Sequence, residues 1–272
     1  MANERLDAWL VASGLASGRD KACERIRGGE VTVNGAVVCK PAYRVAETDE
    51  VSCTAKDAFV GRGGLKLEHA LSLTEPLPAG CTAMDVGAST GGFTDCLLRR
   101  GAARVYAIDS GSGQLAASLR EDSRVVNMEK CNARYLDADM LDADFGAHGG
   151  ADAVVMDVSF ISQTCILPVL PPLLREGGRI VTLIKPQFEV GREGIGKGGI
   201  VREDKWRRTA IERVLTGAAL VGLSPLDVIR SPIEGGDGNV EYLGCFALSD
   251  ATRAKTDAQA LLARMSSDLF RK

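Results

Sequence analysis

From residue 82 onward the chain alternates short, unbroken apolar runs with stretches whose apolar residues recur every three or four positions. The runs read as strands: Thr82–Val86, Val105–Asp109, Arg124–Met128, Ala151–Asp157, Arg179–Lys185, Pro225–Arg230 and Glu241–Leu248. The spaced stretches read as helices over Gly63–Leu73, Phe93–Arg100, Ile161–Leu174, Lys205–Val221 and the tail Thr252–Lys272, where Leu261, Met265 and Leu269 face the sheet. Buried strands interleaved with helices predict an α/β fold, a doubly wound seven-stranded sheet. The Gly235-Gly-Asp-Gly238 turn sends the last strand back antiparallel.

The first 60 residues follow a different pattern, that of a small α+β module. Leu6, Trp9 and Leu10 give a first helix its apolar face, and Gly14 ends it. A second helix over Arg19–Arg27 carries Ala22 and Ile26 on one face and a basic stripe of Lys21 and Arg25 beside it, and Gly28-Gly29 stop it. Val31–Val38 alternates around Asn34-Gly35, the pair best suited to a type I′ hairpin turn. A linker near Ala55–Arg62 separates this module, residues 1–60, from a large domain over 61–272.

Composition narrows the classes. A chain of 272 residues holds one large and one small core, and 45% hydrophobic with 25% charged residues is ordinary for a globular protein. No apolar stretch approaches the roughly 20 residues of a membrane helix and no secretory h-region follows Met1, so a cytoplasmic protein is expected. The 8 cysteines are scattered, with neither a disulfide framework nor a metal-ligand spacing. A net charge of -3 excludes a uniformly basic nucleic-acid binder and leaves RNA contact to local patches. The first 60 residues carry 8 Lys and Arg against 9 Asp and Glu, so a solvated helix face competes with an RNA-binding one there.

The densest chemical signal is Asp85-Val-Gly-Ala-Ser-Thr-Gly-Gly-Phe93, a strand breaking into a glycine turn and a helix, with Asp109 ending the next strand. Gly87 permits the bend, Gly91 and Gly92 permit close backbone approach, and Asp109 is placed for ribose hydroxyls. A dinucleotide site prefers glycine where Ser89 stands, and Asp85 would repel a pyrophosphate. S-adenosyl-L-methionine, with its cationic amino and sulfonium groups, is the favoured cofactor. Asp85, Gly87, Ser89, Thr90, Gly91, Gly92, Phe93 and Asp109 are its candidate contacts.

In open α/β sheets ligands sit beyond the carboxyl ends of the strands. Asp157 and Lys185 end two strands there, Glu241 starts the last one at the same edge if it is antiparallel, and Lys66 on the preceding helix can join them. Such a cluster suits removal of a proton from a ribose 2′-hydroxyl, because a neutral lysine is a competent base. An ordinary ion pair at a sheet edge fits Asp157 and Lys185 equally well.

Two resemblances add to this reading. Arg5-Leu-Asp7, Arg19-Asp-Lys-Ala22, Ile26 and Gly29-Glu-Val-Thr-Val-Asn-Gly35 resemble the RNA-binding domain of ribosomal small-subunit protein four. Members usually carry Ser-Arg where this chain has Gly18-Arg19, which moves the helix cap to Ser17. The resemblance implies RNA contacts at Arg5, Arg19, Lys21 and Arg25, with Arg62 beside the linker. Gly61-Arg-Gly-Gly-Leu-Lys-Leu67, Asp85–Asp95, Asp157-Val-Ser-Phe-Ile-Ser162, Lys185-Pro-Gln-Phe-Glu189 and Gly238-Asn-Val-Glu-Tyr-Leu243 resemble the TlyA family over nearly the whole chain. That family, historically called haemolysins, comprises S-adenosylmethionine-dependent ribosomal RNA methyltransferases with an FtsJ-type catalytic domain. The resemblance implies a Lys66, Asp157, Lys185, Glu241 tetrad with Lys185 as base, and 2′-O-methylation of cytidine in 16S rRNA, 23S rRNA or both, within ribosomal subunits. Asp109-Ser-Gly-Ser-Gly-Gln114 lacks the tyrosine that members often carry there, which removes an aromatic from the adenosine side. The rival classes are a non-catalytic ribosome-assembly RNA-binding protein and a membrane-lytic haemolysin.

Other signals carry less. Gly191-Arg-Glu-Gly-Ile-Gly-Lys197 nearly spells a phosphate loop but is followed by Gly198 rather than Ser or Thr. The stretch 189–201 reads as a lid, an RNA-contacting loop or disorder. Asp157-Val-Ser-Phe160 lacks the prolines of amino-group methyltransferases and so favours an oxygen acceptor. His69 and His148 are isolated, with His148 expected in a surface loop.

Overall fold

The computed structural model describes residues 4–13, 15–16, 18–46, 48–53, 59–265 and 269–270. The chain divides into two compact units, Met1–Gly61 and Arg62–Lys272.

The larger unit is built on seven strands: β1 (Thr82–Val86), β2 (Arg104–Ile108), β3 (Val125–Met128), β4 (Ala151–Met156), β5 (Leu174–Ile184), β6 (Leu223–Arg230) and β7 (Tyr242–Leu248). Their order across the sheet is β6-β7-β5-β4-β1-β2-β3. β1 to β5 run parallel, and β7 inserts antiparallel between β5 and β6. Every residue of β1 and β4 is buried, because helices cover both faces of a parallel sheet and leave no solvated side for polar residues. Met84, Tyr106, Met156 and Phe246 are fully buried in the main core, each side chain contributing roughly 1.5–3 kcal/mol of hydrophobic stabilisation.

Four principal helices are α1 (Gly63–Leu73), α2 (Gly92–Arg99), α3 (Asp204–Leu220) and α4 (Ala251–Arg264). The helix expected over Ile161–Leu174 is absent. Three short 3-10 turns, Gln163–Cys165, Leu167–Val169 and Pro171–Leu173, take its place. Pro168, Pro171 and Pro172 lack the amide hydrogens a continuous α-helix needs. β5 starts five residues earlier than its apolar run, with a register shift before Arg179 and Gly177 at φ 77°. The C-terminal helix stops at Arg264; Leu261 is buried, and Met265 and Leu269 pack on the core as expected. His148 does not lie in a surface loop: it ends a short helix, Ala143–His148, and its Nε2 lies 2.8 Å from Oδ2 of buried Asp152.

The smaller unit packs helices Leu6–Ala12 and Arg19–Arg27 around a core of Leu6, Leu10, Ile26 and Val31. Asn34 and Gly35, at φ 53° and 79°, make the turn between Val31–Val33 and Ala36–Val37. Two pairings escaped the pattern reading: Val51–Cys53 adds a third strand beside Val31–Val33, and Glu4–Arg5 pairs with Arg44–Val45. Gly14 as a helix end, Ser17 as a cap and residues 54–58 of the linker lie outside the described residues.

A candidate active site at the carboxyl edge of the sheet

The turn after β1 is shaped by what its glycines omit. A side chain at Gly87, φ 87°, would strike the backbone of Asp157, and one at Gly91, φ 95°, would overlap Leu115 and Leu119. Ser89 at φ 48° completes the bend, and the Gly87 and Ala88 amides donate to the Ile108 carbonyl. Asp109 closes the loop onto β2: its Oδ2 accepts from the Ser89 amide at 2.8 Å and its Oδ1 from the Gly111 amide at 2.7 Å. Ser89, Asp109, Gln114 and Asn127 line a hollow on one side of this turn. A second hollow is lined by Gly87, Ser89, Thr90, Gly92, Phe93, Asp157, Ser159 and Lys185. Ala88 and Ser89 line both, so the two hollows adjoin at the turn.

Asp85 sits behind the turn rather than on the cleft wall. It is wholly buried, and its Oδ2 accepts from the Thr94 amide at 2.8 Å and the Thr94 hydroxyl at 2.7 Å. Burial pushes its carboxyl up to about 7 against those two hydrogen bonds, with the charges of Asp157 and Asp109 adding to the rise. Through Oδ2 it anchors the start of α2, while its Oδ1 has no hydrogen-bond partner among the described residues.

Beyond the turn, β4, β5 and β7 bring their termini together. Met156 pairs with Thr182 and Ile184 pairs with Tyr242, so Asp157 and Lys185 leave their strands, and Glu241 enters its own, at one edge. Lys185 Nζ lies 2.6 Å from Asp157 Oδ1 and donates to Ser159 Oγ at 2.8 Å. Lys66, on α1, donates to Glu241 Oε2 at 2.5 Å, both side chains being buried. Burial raises the Glu241 carboxyl above its ordinary range, while Lys66 and then Lys185 oppose the rise and Asp157 adds to it. All four expected residues thus converge as two ion pairs, and Gly235 makes room for the Glu241 carboxylate by having no side chain.

Two residues next to Asp157 carry features that the apolar pattern does not signal. Ser159 is the hydroxyl that orients the Lys185 ammonium. Phe160 is 92% exposed, holds φ 63° and lies 5.2 Å from the ring of Phe188. A bulky residue in the left-handed region carries backbone strain, of order 1–3 kcal/mol, that surrounding structure must hold in place. The signal available earlier was an aromatic directly following a strand-ending acid and serine.

The expected RNA contacts fare unevenly. Arg62 is exposed and donates to the Glu234 carbonyl at 2.7 Å. Arg5 is clamped by Asp7 at 2.7 and 3.0 Å, and Arg19 reaches the same carboxylate at 3.8 Å while staying largely exposed. The stripe of Lys21 and Arg25 is not free: Lys21 pairs with Glu24 at 2.9 Å, and the Arg25 guanidinium donates to the Leu15 carbonyl.

Two family descriptions match the chain, FtsJ-like methyltransferase over residues 59–248 and S4 domain over residues 4–51. A candidate rRNA methyltransferase of Bacillus subtilis, YqxC, is 44% identical across 88% of this chain and 84% of its own length. The 16S/23S rRNA (cytidine-2'-O)-methyltransferase TlyA of Mycobacterium tuberculosis is 43% identical across 88% of this chain and 87% of its own. The solved structure of a candidate hemolysin from Streptococcus thermophilus superimposes with TM-score 0.69 at 38% identity, covering 97% of this chain and 96% of that one. Among the described residues no helix is long and apolar enough to cross a membrane.

Proposed function

This chain belongs to the TlyA family of FtsJ-like, S-adenosylmethionine-dependent methyltransferases, and from that premise we propose that it methylates the 2′-hydroxyl of a cytidine in 16S or 23S ribosomal RNA. The observation that carries this reading is the Lys185–Asp157 pair, 2.6 Å apart in a hollow that shares Ala88 and Ser89 with the one lined by Asp109.

The cleft fits the cofactor. Asp109, fixed by two backbone amides, still has lone pairs for ribose hydroxyls, and Gln114 and Asn127 supply amide groups on the nucleoside side. Backbone at Gly87 and Gly92, unobstructed by side chains, forms the wall between that side and the tetrad. Bound S-adenosylmethionine supplies a methyl group on a positively charged sulfur that leaves as a neutral thioether.

The protein's own task is to strip the hydroxyl of its proton while holding it in line. Lys185 acts as the base in its neutral form: its Nζ takes the 2′-hydroxyl proton as the oxygen gains the methyl group. Asp157 then receives the resulting ammonium, and Ser159 keeps the same nitrogen pointed at the cleft. Lys66 and Glu241 form a mutually neutralised pair that adds N–H donors beside the reacting oxygen without adding net charge. Rigid strand ends supply alignment, which alone can account for several kcal/mol of barrier. Phe160 offers an exposed ring face on which a nucleobase turned out of its stack can rest.

We place the S4 domain in the role of RNA anchor, acting on ribosomal subunits in the cytoplasm, with Arg19 the best-exposed of its candidate cations; Arg62, outside that domain, is exposed as well. Mapping 2′-O-methyl positions in 16S and 23S rRNA, with the protein present and absent, tests the proposal. A new methylated cytidine supports it, and an unchanged map refutes it.

A further inference from the structure

Asn239 is 1% exposed, although it lies in a segment rich in glycine and polar residues. Its carboxamide is used in both senses. Oδ1 accepts from the Val201 amide at 2.9 Å, and Nδ2 donates to the Gly199 carbonyl at 3.0 Å. Its own carbonyl accepts from the Gly235 amide at 2.8 Å. Gly235 in turn lies against the Glu241 carboxylate, where any side chain would overlap Oε1. One buried amide therefore joins the loop that ends at Val201 to the turn that seats an active-site acid. A carboxylate lacks the donor for Gly199, and an aliphatic side chain lacks both partners and would strand buried backbone groups.

The loop held this way is unusual in charge. Residues 191–202 contain Arg192, Lys197 and Arg202 against the single acid Glu193, on a chain whose net charge is -3. All three cations are exposed, and among the described residues none is seen in an ion pair. Gly198 and Gly199, at φ 78° and 77°, give the loop a backbone that has little intrinsic preference for this shape.

We infer that Asn239 is a positioning residue that locks the 196–202 loop to the Glu241 turn, so that Lys197 and Arg202 grip RNA phosphates flanking the acceptor nucleotide. The inference rests on the RNA methyltransferase reading. It explains why a costly buried amide stands beside the tetrad: unlocked, the two cations would sample many positions, and their phosphate contacts would lose both register and strength.

The test uses a charge-neutral change, Asn239→Ala, and reads the salt dependence of binding to purified ribosomal subunits that lack the modification. Counterion release ties the slope of log affinity against log salt to the number of phosphate contacts, about 0.7 per contact on single-stranded RNA. Asn239→Ala should flatten the slope as far as Lys197→Ala/Arg202→Ala does, and combining all three changes should flatten it no further. S-adenosylmethionine affinity should stay unchanged. A wild-type slope in folded Asn239→Ala, or in the double variant, overturns the inference. Should Asn239→Ala fail to fold, Asn239→Asp carries the test, since it keeps the Val201 bond and loses the Gly199 bond; the same flattening is expected and a wild-type slope overturns it. The slope is read without turnover, so a failure of the catalytic assignment to Lys185 is seen separately.

Discussion

Lys185 and Asp157 stand one residue beyond the ends of adjacent parallel strands and meet at 2.6 Å, with Ser159 taking the ammonium's hydrogen bond. Of the two lysines in the cluster, Lys185 lines the cleft, while Lys66 is buried against Glu241.

Lys185→Ala should abolish single-turnover methyl transfer to ribosomal subunits while leaving S-adenosylmethionine binding near wild type. Lys185→Arg should fail as well, because a guanidinium keeps the charge and cannot give up its proton in this pH range. A loss of at least about 100-fold is expected for each, the usual size of a general-base contribution. Near-native turnover by the arginine variant would reduce Lys185 to an anchor.

Asp109→Ala should weaken S-adenosylmethionine binding by more than tenfold, measured by calorimetry. Two effects add: the ribose acceptor is lost, and the Ser89 and Gly111 amides lose the carboxylate that shapes the turn. Asp109→Asn should recover part of the second effect only.

Asp85 makes stability depend on pH. Its carboxyl titrates near 7 in the folded protein and near 3.8 when unfolded, so between those values the folded state binds the extra proton. The contribution of this group therefore falls as pH rises from about 4 to 7, by at most on the order of 4 kcal/mol. Asp85→Asn, which stays neutral, should lose this slope. Urea denaturation of both proteins across the same pH range compares them, and parallel curves would refute the assignment.

Phe160→Ala should leave the melting temperature and cofactor affinity unchanged, since the ring is exposed, while lowering kcat/KM for ribosomal subunits about tenfold or more, as expected for a lost stacking contact. Unaltered kcat/KM would make the ring a bystander.

In the S4 domain, Arg25→Glu should lower stability, because the guanidinium satisfies the Leu15 carbonyl. Arg19→Glu should instead weaken RNA binding with little effect on melting. Thermal melts and filter binding separate the two outcomes.

Much of this architecture is legible in the chain. Apolar runs that stop at Asp157 and Lys185 mark both the strands and their chemistry, since a parallel sheet admits polar residues only at its ends. The glycine turn is equally plain, because Gly87 and Gly91 occupy backbone conformations few other residues tolerate. What failed did so for definable reasons. Apolar spacing over Ile161–Leu174 mimics a helix unless the three prolines are weighed. The partners of Lys21 and Arg25, Glu24 and the Leu15 carbonyl, are also not visible in the sequence. That Asp85 is buried, with Thr94 claiming one of its oxygens, is likewise not visible from strand position alone. His148 reads as loop because its partner Asp152 is recognisable only once β4 is buried.

The antiparallel insertion of β7 sets an order of events during synthesis. Lys66, Asp157 and Lys185 emerge well before Glu241, and until Tyr242–Leu248 exists β5 has an open edge where β7 belongs. A chain that ends before Glu241 therefore leaves β5 without its antiparallel neighbour and lacks the acid that pairs with Lys66. The Lys66–Glu241 pair can therefore form only once the start of the last strand has been made.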